Sequence, residues 1–98
     1  MLYLNRANGI IHRKNISIGG VSGTVVDSRI VFKDALLYLA SSVILIHNHP
    51  SGDPQPSNED LAITRRLKEA GDLLGTPVLD HIIIGEDRYV SFVERGLL

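Results

Sequence analysis

The chain has 98 residues, 44% of them hydrophobic and 21% charged, with a formal net charge of −1. That length holds one small domain with a modest core, and the near-neutral balance gives no broad basic footprint for nucleic acid. No cysteine is present, which excludes disulfides, thiolate zinc sites and a cysteine nucleophile and agrees with an expected cytoplasmic location.

Leu2 to Asn5 reads as a strand, Ala7-Asn8-Gly9 as a hairpin turn, and Ile10 to Ile18 as the returning strand, with Ile10, Ile16 and Ile18 on one face. Gly19-Gly20 and Gly23 mark a bend or bulge. Asp27 or Ser28 can cap a helix to about Ala40, with Val31, Ala35, Leu39, Phe32, Leu36 and Ala40 as its apolar stripe. Ser42 to Ile46, with the run Val43-Ile44-Leu45-Ile46, reads as a buried central strand. A stiff loop with three of the four prolines follows. Ser57 opens a helix to about Leu74, with Ile63, Leu67, Ala70 and Leu74 inward, stopped by Gly75 and Pro77. Val78 to Ile84 and Arg88 to Val93 form a second hairpin around Gly85-Glu86-Asp87. The order β-β-α-β-α-β-β predicts an α/β layered domain with a mixed sheet and two main helices, a single domain over residues 1–98. No stretch approaches the roughly 18–20 apolar residues of a membrane span, and the N-terminus lacks a signal-peptide pattern.

The chemistry concentrates in His47-Asn48-His49-Pro50 and, six residues on, Ser57-Asn58-Glu59-Asp60. Alternate residues at a strand end share a face, so His47 and His49 can converge on one ion. The proline loop must turn back and bring Asp60, in the first turn of the next helix, beside them. Two nitrogens and one oxygen with a position left for water is the pattern of a catalytic zinc site, where the metal would acidify water and polarise a carbonyl. Two plainer readings stand beside it. His-x-His is compatible with a polar strand end, and Ser57-x-x-Asp60 also fits a helix capping box.

The string from His47 to Asp60 resembles the JAMM motif, H-x-H-P-x(6)-S-x-x-D, of the JAB/MPN-type zinc metalloproteases. More narrowly, Asn48, Pro50-Ser51-Gly52, Pro56-Ser57, Asp80-His81-Ile82-Ile83-Ile84-Gly85 and Ser91…Glu94-Arg95-Gly96 are similar to the RadC family over nearly the whole chain. The resemblance implies a cytidine-deaminase-like fold and a zinc-dependent hydrolase of peptide or isopeptide bonds. It implies His47, His49 and Asp60 as zinc ligands, with Ser57 steadying the bound water or an oxyanion. It also implies an upstream glutamate as general acid/base, yet residues 1–48 contain only Asp27 and Asp34 as acids. The expectation is a piece of a longer protein lacking the family's N-terminal segment. A short member without catalysis, or a substitute acid, are the alternatives; Asp27 and Asp34 read more simply as a helix cap and a solvated helix residue.

Asp80 and His81, with Asn48, are candidates for orienting a ligand or lining the cleft, against a plain polar entry to a buried strand. The Asp-His-Ile-Ile string lacks the later Asn and His that an HNH nuclease needs. Arg65, Arg66 and Lys68 read as a solvated helix face, and His12, Arg13 and Lys14 as exposed. Three scattered tyrosines make no stacking platform for bases. The expected partner is a peptide or amide-bond substrate. Nucleic acid is weakly supported, no membrane is expected, and a sheet edge or apolar face left open by the missing segment would favour a homo-oligomer. The competing function is a non-catalytic RadC-like accessory module tied to DNA repair or mobile elements. A zinc deaminase is disfavoured by the missing cysteines and the missing His-x-Glu.

Overall fold

A computed structural model describes residues 1–15 and 26–98. Its elements are β1 (Leu2–Leu4), β2 (Ile10–Arg13), α1 (Ser28–Leu37), β3 (Ser42–Asn48), α2 (Asn58–Leu74), β4 (Val78–Ile84) and β5 (Tyr89–Ser91), in the expected order. The strands form one sheet, β2-β1-β3-β4-β5. β3 and β4 run parallel and every other neighbouring pair antiparallel. Parallel strands need a crossover, and α2 provides it. Residues 16–18 of the expected second strand, and the glycines Gly19, Gly20 and Gly23, lie outside the described residues.

Alternation along the strands sorts side chains to two faces. Tyr3, Val43 and Leu45 pack with Val31, Phe32 and Ala35 of α1 and Leu67 of α2 in one core. In the parallel register Leu45 lies beside His81 and His47 beside Ile83. His47 and His81 therefore share the helix-covered face. Ile46, Ile82 and Ile84 belong to the other face, where with Tyr89 they line an open groove of about 600 Å³.

α1 is shorter than its periodicity predicts. It closes at Leu37, Tyr38 caps it, and Leu39 adopts left-handed backbone (φ 49°) as the chain turns into β3. The expected stripe also splits. Val31, Phe32, Ala35 and Ala40 are buried, whereas Leu36 is 53% and Leu39 83% exposed. α2 follows its Ser57 cap and stops at Gly75 in left-handed geometry (φ 74°), as the sequence predicts. Leu67 is buried with Ile63 and Ala70 packed against the core, but Leu74, expected inward, is exposed. The returning chain explains this, because Thr76 and Pro77 cross α2 at buried Gly71 and close the core one turn early.

That crossing reverses the usual sign of a helix substitution. Gly→Ala in a helix interior ordinarily gains roughly 0.5–1 kcal/mol. At Gly71 a Cβ would stand 2.5 Å from the Thr76 carbonyl oxygen and 3.4 Å from Phe32. The backbone cannot step aside cheaply, so Gly71→Ala is expected to destabilise by roughly 1–3 kcal/mol. The urea midpoint should fall with the slope unchanged; a raised midpoint would show that the crossing yields.

Asp34, expected on a solvated face, is buried at 5% exposure. Its carboxylate meets His12 Nε2 at 2.9 Å and Lys14 Nζ at 3.3 Å. His12, expected exposed, also stacks on Tyr38 with ring centroids 4.1 Å apart. The partners come from the first hairpin, so helix periodicity alone could not reveal the pairing. The His12 hydrogen bond, with Lys14, holds the Asp34 carboxyl below the usual range against its own desolvation. A depressed carboxyl adds stability above the ordinary Asp pKa and loses it as pH falls through the folded value. Asp34→Asn should therefore cost stability at neutral pH, with the difference from wild type narrowing below about pH 4. Urea midpoints measured at both pH values check this, and an equal gap at each would refute the pairing's role.

Candidate metal centre

β3 delivers His47 and then His49 to one side of the sheet's end, with Asn48 on the other. The backbone around His49 is anchored to the β4–β5 hairpin. His49 N–H donates to the Ile84 carbonyl (3.0 Å), Gly52 N–H closes a turn onto the His49 carbonyl (2.9 Å), and Glu86 N–H donates to the Gly52 carbonyl (2.9 Å). Gly52 sits at φ 84°, a conformation glycine adopts without strain. Pro54 is fully buried in the same loop. Asp60 enters from the first turn of α2 through a complete capping box. Ser57 Oγ accepts from Asp60 N–H (3.0 Å), and Ser57 N–H donates to Asp60 Oδ2 (2.8 Å). The residue that completes the cap is thus the one whose carboxylate faces the imidazoles, and the cap fixes the rotamer that turns it there.

His47 Nε2 lies 3.2 Å from Asp60 Oδ1, and His49 Nε2 3.0 Å from Asp60 Oδ2. One ligand atom from each of the three residues falls within 4.8 Å of the others. Metal–ligand bonds of about 2.0–2.1 Å in a tetrahedron put neighbouring ligand atoms roughly 3.3 Å apart, so the spacing fits such an ion. Proton placement points the same way. His49 Nδ1 lies 2.8 Å from the Asp53 carbonyl oxygen, which can only accept, so Nδ1 carries a hydrogen. Nε2 faces Asp60 Oδ2 at 3.0 Å, a contact that calls for a positive centre between the two, a proton or a metal ion.

His47 has a different second partner. Its Nδ1 lies 2.9 Å from Nε2 of His81, which is 1% exposed. His81 Nδ1 in turn contacts Thr64 Oγ1, and Thr64 Oγ1 donates to the Asp60 carbonyl at 2.8 Å. Phe92 stacks on the other side of the His81 ring at 4.3 Å between centroids.

Burial pushes His47 down against the opposing pull of Asp60. Burial, with His47 beside it, pushes His81 down to about 4. Burial alone would raise the Asp60 carboxyl, but the two Ser57 hydrogen bonds and the His47 and His49 rings outweigh it and hold it below the usual range. A neutral His47 imidazole and an ionised Asp60 carboxylate are protonation states that suit metal binding.

The remaining candidates fall in distinct places. Ser57 is exposed, and its hydroxyl, which accepts the cap bond, keeps its own hydrogen for donation. Asn48 is exposed on the opposite side of β3 and lines a hollow with His49, Gly52 and Glu86. Asp80 does not reach the ligands. It accepts from Ser91 Oγ (2.6 Å), His81 N–H (2.8 Å) and Val93 N–H (3.1 Å), tying down the chain after β5. Arg65 and Arg66 are exposed, and Lys68 pairs with Asp72. Sequence reasoning missed Thr64. Its spacing of four from Asp60 puts both on one helix face, which is the signal that marks it.

A family model described as a RadC-like JAB domain matches residues 1–97. Among curated proteins, a "UPF0758 protein" of Pelobacter propionicus is 56% identical over 100% of this chain and 43% of its own length. One from Syntrophomonas wolfei is 55% identical over 100% of this chain and 42% of its own. A third, from Bacillus cereus, is 54% identical over 97% and 42%. The chain thus spans about two-fifths of the length of these relatives.

Proposed function

This chain belongs to the family of RadC-like JAB domains, and from that membership and the geometry of its donor atoms we propose that it is the zinc-holding domain of a metallohydrolase acting on peptide or isopeptide bonds. The observation that carries the reading is the pair of imidazole nitrogens set 3.2 and 3.0 Å from the two oxygens of a single buried carboxylate. His47, His49 and Asp60 would hold the ion. Bound there, zinc supplies a Lewis acid that acidifies water and polarises a carbonyl.

The chain's own residues do the rest. The capping box holds Asp60 ionised and aimed. The Asp53 carbonyl holds His49 in one tautomer. Ser57 Oγ–H remains available to donate to oxygen charge developing on a substrate carbonyl. The acid–base glutamate implied by the resemblance has no counterpart before Glu59. The decisive assay therefore joins a glutamate-bearing upstream segment to this chain, since the relatives extend well beyond it. Zinc-dependent cleavage of peptide- or isopeptide-linked substrates, lost on His49→Ala, is expected. A zinc-loaded protein with that segment that cleaves neither class would overturn the hydrolase reading and leave a metal-binding module.

A further inference from the structure

We propose that His81 and Thr64 form a reversible hydrogen-bond wire that sets which ring nitrogen of His47 carries the proton, and that the wire reverses polarity when the site takes up its metal. The inference rests on the metal reading above. It starts from an asymmetry between the two ligand histidines. His49 Nδ1 is bonded to a carbonyl, which can only accept, so its tautomer is the same with or without an ion. His47 Nδ1 is bonded to another imidazole, His81, which can accept or donate. His81 ends on a hydroxyl, Thr64 Oγ1, which can also do either. Every group in the run is two-faced until the chain reaches the Asp60 carbonyl.

Two arrangements satisfy the contacts between His47, His81 and Thr64, and the second also keeps the Thr64 bond to the Asp60 carbonyl, which the first gives up. Without metal, Nε2–H of His47 donates to Asp60 Oδ1, Nε2–H of His81 donates to His47 Nδ1, and the Thr64 hydroxyl donates to His81 Nδ1. With metal, the His47 Nε2 lone pair must face the ion. Nδ1–H of His47 then donates to His81 Nε2, Nδ1–H of His81 donates to Thr64 Oγ1, and the Thr64 hydroxyl turns to the Asp60 carbonyl. Each ring carries one proton in both states and the hydroxyl keeps its own, so no net proton is gained or lost within the wire. The interior offers His81 no water in place of these partners, because it is 1% exposed and covered by Phe92. A buried ring left without a partner costs more than a satisfied one gains, so the three groups turn together. His81 and Thr64 are positioning residues acting through His47.

The test reads the ring nitrogens directly. Nitrogen-15 spectra of the histidines are recorded on the chain at about pH 8, above the ordinary imidazole range, without metal and with zinc. His47 and His81 are expected to move from Nε2–H to Nδ1–H together on zinc addition, while His49 stays Nδ1–H throughout. A His81 that keeps one tautomer in both states overturns the wire. Zinc affinity, measured by chelator competition, gives a second readout. Thr64→Val leaves no hydroxyl for His81 Nδ1 to donate to, and should weaken zinc binding roughly 10–100-fold, the usual size for a partner of a metal ligand. Thr64→Ser should restore it to within a few-fold. Equal affinity in Thr64→Val and wild type overturns the wire alone. Absence of zinc binding in wild type overturns the metal reading, and the wire with it.

Discussion

Replacing His49 by alanine is expected to take the purified chain from about one zinc per molecule to none. The substitution removes a nitrogen already aimed at the site, and leaves only His47 and Asp60, too few to hold an ion against water. It should leave the fold largely intact, because the bonds that anchor this stretch run through the His49 backbone N–H and carbonyl. Elemental analysis of both proteins, beside a far-ultraviolet spectrum, reads the two effects separately. Zinc retained in His49→Ala at wild-type stoichiometry would mean that the ion sits elsewhere.

Phe92→Ala is expected to be the most damaging single truncation, at roughly 3–5 kcal/mol. The Phe92 side chain is 0% exposed, stacks on His81, and its backbone N–H donates to the His81 carbonyl at 3.0 Å. Domains of this size are stable by only about 5–15 kcal/mol, so the variant would stand near the edge of unfolding. Each kcal/mol shifts the melting temperature by roughly 4–8 °C in a domain of under 100 residues. A thermal melt that drops by less than about 5 °C would mean that the cavity collapses or fills. The same truncation unseats the ring that backs His81, so zinc affinity should fall in whatever fraction stays folded.

The parts of this fold that were legible in the sequence are those decided by neighbours a few residues away. The parity of His47 and His49, the entry of Asp60 on the first turn of α2, the Gly75 stop and the Val78–Ile84 strand all follow from local spacing. What escaped was decided across the chain. Leu36 and Leu39 continue a helical stripe on paper, but Leu39 falls past the helix end at Leu37 and Leu36, though helical, stays exposed. Asp34 looks like a surface acid until the first hairpin brings His12 and Lys14 to it. Asp80 and His81 read as a pair, yet alternation sends them to opposite faces, one to tie down the chain after β5 and the other to back His47. At the site, Ser57 and Asp60 carried two readings, cap and chemistry, and the capping box is there in full without moving the carboxylate away from the imidazoles.

The three donor side chains all come from the segment between His47 and Asp60, whereas the hydrogen bond from His47 to His81 spans 34 positions. An ion held by such a segment closes a short ring within one stretch of chain. It therefore joins no remote parts of the chain. Its stabilisation should be felt in the proline loop, with amide exchange there accelerating on metal removal while the β3–β4 ladder stays protected. The long-range closures belong to the sheet and to the buried rings of His81 and Phe92. The ion would govern whether the site is set, and the sheet with its buried rings whether the chain is folded.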